Sequence, residues 1–443
     1  MPTKAKNRAD KTVNYSNLAA LTFILLLIIS LVGPKPLAEP IAVTSLDRSS
    51  IPVWYQLIFG ACYFLVFILV VKTNIKLIFS LLSPPLLAII VLALASATWS
   101  LYPGAALTAA LRVIALCIAM SVCITRLGAE RAWRVFGWFL ASLVFFNYIS
   151  LFISPYSMHT AQDWDYRIIG AWRGLHEHKN IAAPIMFFAA FYWMDEYFCR
   201  GGMWRIAISA LSLGFVVGTG SKTTLALSLC LLISLFLIYH SRRHSREIKT
   251  IVLLFFVIAI MAISVLLTDK DVTAFLLGDG SGFSGRSVLW QMVLANASVA
   301  PLTGFGFNSF WRVGVDGPTY DYAVGWFAAS YSGHNGYLDL LVTLGYPGLI
   351  FALGGLIVWP MLDFVRWGAL VDPACRKAAI GLGFGALHNL LESSFMVASS
   401  EAFVLWLIAA FSLRLRRPQP QGLQEHKNNL DLEANRVVSG GFK

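Results

Sequence analysis

The chain has 443 residues, of which 58% are hydrophobic and only 13% charged, with a formal net charge of +11. Water alone could not accommodate that composition, which excludes a soluble globular enzyme and points to a polytopic membrane protein. Its apolar residues run continuously instead of alternating over ten-residue stretches, so the spans read as helices and not as a membrane barrel.

At about 20 apolar residues per span, the length leaves room for roughly a dozen helices. Residues 1–16 form a polar, basic tail carrying Lys4, Lys6, Arg8 and Lys11. Spans are expected near 17–32, 52–71, 83–99, 106–124, 133–153, 181–198, 206–220, 223–239, 251–267, 346–364, 378–394 and 402–415. The first is read as an anchor, because Gly33-Pro34-Lys35-Pro36 offers no small-residue cleavage site for a signal peptidase. After Arg417 the composition turns polar, with Pro418, Gln419, Pro420 and Gln421, so 416–443 is expected to be a disordered tail. No internal repeat is visible.

Short loops rich in Lys and Arg stay in the cytoplasm. Lys72, Lys76, Arg126, Arg131, Arg134, Arg200, Arg205, Arg242, Arg376 and Lys377 fall on one side of this layout together with the basic tail. That side is read as cytoplasmic, with both termini on it. The positive charge is then a topology signal and needs no nucleic acid to explain it. The six cysteines lie in the spans or toward their cytoplasmic ends, so neither a disulfide framework nor a Cys-based metal site is expected.

Two outer loops are long enough to carry function, 154–180 and 268–345, the second just before the tenth span. The first holds Arg173, His176, Glu177, His178 and Lys179. Basic residues on the outer side oppose the topological preference, which points to an anionic ligand: Arg offers a planar fork for phosphate, Lys a point charge. The bland alternative is that they reach lipid headgroups. His176 and His178, two apart, do not share a helical face, and no third ligand stands at a recognisable spacing, so no metal is expected.

Lys222 sits in the short outer turn Gly218 to Thr223. The turn lacks the Gly before Lys that a phosphate loop requires, but helix-start amides with a Lys and hydroxyls can still hold a phosphate. His334 opens SGHNGYLDLLVTLG, with Asn335 beside it and Tyr337, Leu338, Leu340 and Leu341 forming the apolar face of a short helix expected at the membrane surface. An imidazole there, titrating near pH 6.5 when unperturbed, is suited to act as a base for a hydroxyl at the water boundary. His388 and Glu392, four apart, are expected on one helical face. Trp290, Phe305, Phe307, Phe310 and Trp311 offer candidate surfaces for sugar rings, although aromatic belts give the same composition.

In this order, Trp99-Ser100 to Pro103, His178-Lys179-Asn180, Gly220 to Thr223, Gly285-Arg286 with Trp290, Pro301 through Gly306, His334-Asn335 with Gly345 to Gly348, and His388 to Glu392 resemble the motifs of the O-antigen ligase and polysaccharide polymerase superfamily. The His-Lys-Asn form resembles the exopolysaccharide polymerase branch more closely. The resemblance implies an all-α, GT-C-like membrane glycosyltransferase in the bacterial inner membrane. Its site would face the periplasm, and residues 17–415 would form one transmembrane domain. The implied donor is a glycan on undecaprenyl diphosphate. A flippase and a chain-length regulator of the same pathway are the candidate protein partners, and no cofactor or metal is implied.

Carried over, Arg286 would bind the diphosphate leaving group and His334 would activate the acceptor hydroxyl. Lys222, Arg173, His178, Lys179, Asn335, Tyr337, His388 and Glu392 would contact substrate; Lys222 stands where many members have Arg. A ligase transferring glycan to lipid A-core is the alternative within the family. A transporter for the lipid-linked sugar is the rival from another class, and it predicts an inverted repeat with broken midplane helices.

Overall fold

The computed structural model describes residues 2–34, 36–37, 52–161, 163, 168–222, 224–225, 286–311, 318–319, 330, 332–369 and 372–418. Among them every regular element is helical, and a single antiparallel bridge joins Met158 to Trp172. The helices are α1 (Pro2–Leu27), α2 (Val53–Val71), α3 (Ile75–Ser80), α4 (Pro84–Ala95), α5 (Pro103–Leu127), α6 (Ala129–Ile153), α7 (Lys179–Arg200) and α8 (Met203–Thr219). They continue with α9 (Arg286–Val299), α10 (Gly336–Ala352), α11 (Trp359–Trp367), α12 (Pro373–Leu391) and α13 (Glu401–Arg414).

Local chemistry sets the helix ends. Ser83 caps α4 by accepting a bond from Leu86 N at 3.3 Å, and Asp372 caps α12 by accepting from Ala374 N at 2.8 Å, each followed by a proline at the first helical position. Gly128, at φ +71°, turns the chain between α5 and α6.

Among the described residues, five stretches are long and apolar enough to cross a membrane: Tyr15–Val32, Val53–Val71, Pro103–Leu127, Ala129–Ile153 and Gly336–Trp367; Pro84–Thr98 and Met203–Thr219 are apolar but shorter. The spans expected at 223–239 and 251–267, and the tail expected after Arg417, lie outside or almost wholly outside the described residues. The other expected spans each coincide with an observed helix. On α2 the outward side chains are apolar: Leu57, Phe64 and Phe67 are 68%, 63% and 64% exposed. Water would not tolerate that face, whereas lipid would.

At the centre, α13 is buried on every side from Ala402 to Arg414, and α12 nearly so. These two helices pack along each other, α7 packs on α8, and α10 packs on α4 and α9. One end of the α7–α12 pair is closed by buried ion pairs, Arg376 Nε to Asp195 Oδ1 at 2.9 Å and Lys377 Nζ to Glu196 Oε1 at 2.7 Å. The opposite end holds the start of α7, the end of α12 and the residues described next.

Candidate active site

The backbone around His334 is fixed before its side chain is considered. At φ +48° His334 occupies the left-handed region, which costs a non-glycine residue about 1–2 kcal/mol. Its neighbours over-determine that conformation. The Gly333 carbonyl accepts from Trp290 Nε1 at 2.7 Å, and Gly333 N donates to Asp339 Oδ1 at 3.0 Å; the same oxygen accepts from Trp311 Nε1 at 3.0 Å. On the other side, Asn335 caps α10 by accepting from Tyr337 N at 3.1 Å and Leu338 N at 3.2 Å.

A kink holds α10 against the preceding loop. Pro347 has no N–H to give to Thr343 O, and Gly345, at φ +66°, breaks the helical path. The freed carbonyls are taken from outside: Val342 O accepts from Phe305 N at 3.0 Å and Thr343 O from Gly306 N at 2.9 Å, while Tyr346 N donates to Pro301 O at 2.8 Å. Gly304 permits this approach, since a Cβ there would lie 2.3 Å from the Thr343 backbone. The loop also docks on the turn before α5, with Phe307 N donating to Ser96 Oγ at 2.9 Å and Trp99 Nε1 to Thr303 O at 3.2 Å.

Glu392 joins three separate elements. Its Oε2 accepts from His334 Nδ1 at 2.7 Å, and its Oε1 accepts from Arg286 Nη2 at 2.9 Å and from Asn180 Nδ2 at 3.1 Å. Arg286 Nη1 also donates to Leu391 O at 2.6 Å. The Arg286 cation and the donors of His334 and Asn180 around Glu392 favour the ionised carboxylate. An ionised carboxylate only accepts, so His334 presents Nδ1–H to it, and in the neutral imidazole this tautomer leaves Nε2 as a lone pair. The His334 side chain is 31% exposed, against 14% for Glu392 and 11% for Arg286. The imidazole is therefore the accessible member of the group.

The first loop meets the same end of the bundle. His178 caps α7 by accepting from Asn180 N at 3.2 Å, and burial lowers its titration to about 4, so it serves as a neutral acceptor. Lys179 is anchored through its backbone N on His159 Nε2 at 3.2 Å, and its ammonium reaches Gly220 O at 3.5 Å. Arg173 is buried and donates to the carbonyls of Tyr156 at 2.6 Å and Glu177 at 3.0 Å, which folds the loop back on itself. Lys222 is exposed on the turn that follows α8, beside Ser221, whose Oγ donates to Asn180 Oδ1 at 3.2 Å.

Several sequence expectations change. His388 and Glu392 do not share a helical face, because α12 ends at Leu391 and Glu392 is extended at φ −146°, ψ 158°. His388 instead lies 2.8 Å from Ser394 Oγ and stacks on Phe384. The apolar face at the start of α10 packs on protein: Leu340, Leu341 and Leu344 are buried, and Tyr337 OH donates to Ala386 O at 2.9 Å inside the bundle. Asn335 Oδ1 and Tyr337 OH are thus committed to protein. Trp290, Phe307 and Phe310 are buried as well and present no face to a sugar ring. Sequence reasoning missed Asn180 and Asp339 as supports of the site. The Asn in His-Lys-Asn was the available signal for the first; for Asp339 there was none, since a lone acidic residue in a first helical turn reads as a dipole partner.

Residues 207–353, about a third of the chain, match the family model described as O-antigen ligase. The match supports placing the chain in the O-antigen ligase and polysaccharide polymerase superfamily. It contains Lys222, Arg286, His334, Asn335 and Tyr337, whereas Arg173, His178, Lys179, His388 and Glu392 lie outside it. No curated protein matches the chain.

Proposed function

We propose that the protein is a metal-independent glycosyltransferase. It takes a glycan from undecaprenyl diphosphate at the periplasmic face of the bacterial inner membrane and polymerises exopolysaccharide or O-antigen repeat units. The observation that carries this reading is the Glu392 carboxylate, which holds His334 at 2.7 Å and Arg286 at 2.9 Å in one cluster.

His334 Nε2 takes the proton of the acceptor hydroxyl as that oxygen attacks the anomeric carbon and the bond to the diphosphate breaks. That proton transfer is of the type worth about 10² to 10⁴ in rate; Glu392 keeps the imidazole in the required tautomer and stabilises the imidazolium that forms. Negative charge builds on the leaving diphosphate. Arg286 carries five N–H donors and uses two on Leu391 and Glu392; the others, with the exposed Lys222, meet that charge. Arg173, His178 and Lys179 act by holding the loop and the start of α7. Around this site roughly a dozen spans at about 20 residues each form a GT-C-like domain over 17–415, with both termini in the cytoplasm.

The test is incubation of the purified protein with undecaprenyl-diphosphate-linked oligosaccharide and a chelator. A ladder of long chains supports the polymerase, and transfer to lipid A-core alone makes it the ligase. Absence of transfer, with movement of the lipid-linked sugar across liposomes, overturns the reading in favour of a transporter.

A further inference from the structure

Asn180 is the second residue of α7, and its amide meets two different chemistries. Its Nδ2 lies 3.1 Å from Glu392 Oε1, and its Oδ1 lies 3.2 Å from Ser221 Oγ. The carboxylate can only accept and the hydroxyl can donate, so the position needs one donor and one acceptor on a short side chain, which an amide provides. Both partners are otherwise fixed. Ser221 is buried, its N donates to Thr219 Oγ1 at 3.2 Å and its Oγ lies 3.2 Å from Thr224 Oγ1. The Asn180 backbone is held by the His178 cap. Ser221 immediately precedes Lys222, so the amide bridges the turn bearing that cation to the carboxylate that orients His334.

We propose that Asn180 is a positioning residue that sets the Lys222 turn and the His334–Glu392 pair in one register, aligning the donor-binding cation with the base. This rests on the glycosyl-transfer reading above. It assigns to Asn180 a role in the chemical step without contact with the reacting atoms.

The experiment compares wild type, Asn180→Ala and Asn180→Asp in turnover of undecaprenyl-diphosphate-linked oligosaccharide across pH 5 to 9. Asn180→Ala is expected to lose about 10- to 100-fold in kcat, the size of a hydrogen bond to a charged group, at every pH and with little change in KM. Asp at 180 can donate to Glu392 only while protonated, and the facing carboxylate makes it keep its proton to higher pH than an isolated Asp. The ratio of Asn180→Asp to wild-type activity is therefore expected to be highest at the acid end and to fall as pH rises. Glu392 also feels Arg286 from α9, His334 from the loop before α10, His178 from the entry to α7, His388 from α12 and Glu401 from α13. Those groups are common to all three proteins and drop out of the ratio.

A ratio that is flat with pH, or an Asn180→Ala enzyme with wild-type kcat, overturns the positioning role while leaving the transferase reading intact. A wild type without turnover overturns both.

Discussion

Glu392 is the residue on which the site turns, since removing its charge leaves Arg286 without its carboxylate partner and His334 free to rotate. Its carboxylate is held by Arg286, His334 and Asn180 at once, so neutralising it breaks one ion pair and weakens two hydrogen bonds. We expect Glu392→Gln to melt lower than wild type at pH 7, as followed by thermal denaturation in detergent. His334, by contrast, gains from the sequence alone only its candidacy as a base; its left-handed backbone is held through Trp290 and Asp339, and its carboxylate partner stands 58 positions away.

At the scale of elements, the kinked α10 and the abrupt end of α12 bring the group together. The kink was legible, because Gly345-Tyr346-Pro347-Gly348 contains both a helix breaker and a residue without an N–H. The end of α12 was not. Leu391-Glu392-Ser393-Ser394 carries no glycine or proline, and helical spacing from His388 argued for continuation. The helix stops because Asn389 Oδ1 accepts from Ser394 N and Phe395 N, both at 2.9 Å, a side-chain cap that periodicity does not reveal.

Where α10 meets α12, Gly336 lies against that same Asn389, and a Cβ would approach its Oδ1 to 2.1 Å. Gly336→Ala is therefore expected to cost about 1–3 kcal/mol as an overpacking substitution. It should also lower turnover by shifting Asn335 and His334. Melting temperature and kcat measured together check both effects.

Taken as a whole molecule, α7 and α12 run antiparallel, with the candidate site at one end and buried ion pairs at the other. The helix rise places Arg376 about 22 Å from Leu391. Breaking a buried pair by removing one partner costs about 3–5 kcal/mol, so Arg376→Met is expected to reduce the yield of folded protein while the surviving fraction keeps wild-type KM. Chromatography and kinetics on that fraction test the separation of roles.

The helical class and most helix positions were legible because a long apolar run has few alternatives in lipid. The meeting of Asn180, Ser221, Arg286, His334 and Glu392 was not, because it depends on which helix ends are neighbours. Orientation is tested by Cys substitution at Ala161 and Met203, which are exposed near opposite ends of α7. With Cys199 replaced, an impermeant maleimide added outside spheroplasts is expected to label position 161 and to spare 203.

The central claim is that His334 and Glu392 act as one unit in glycosyl transfer, and a double-mutant cycle tests it most directly. Turnover of undecaprenyl-diphosphate-linked oligosaccharide would be measured for wild type, His334→Ala, Glu392→Gln and the double variant. The account predicts a loss on the order of 10² to 10⁴ for His334→Ala, a smaller loss for Glu392→Gln, and almost no further loss in the double variant. Losses that multiply in the double variant, or a His334→Ala enzyme of wild-type rate, would contradict it.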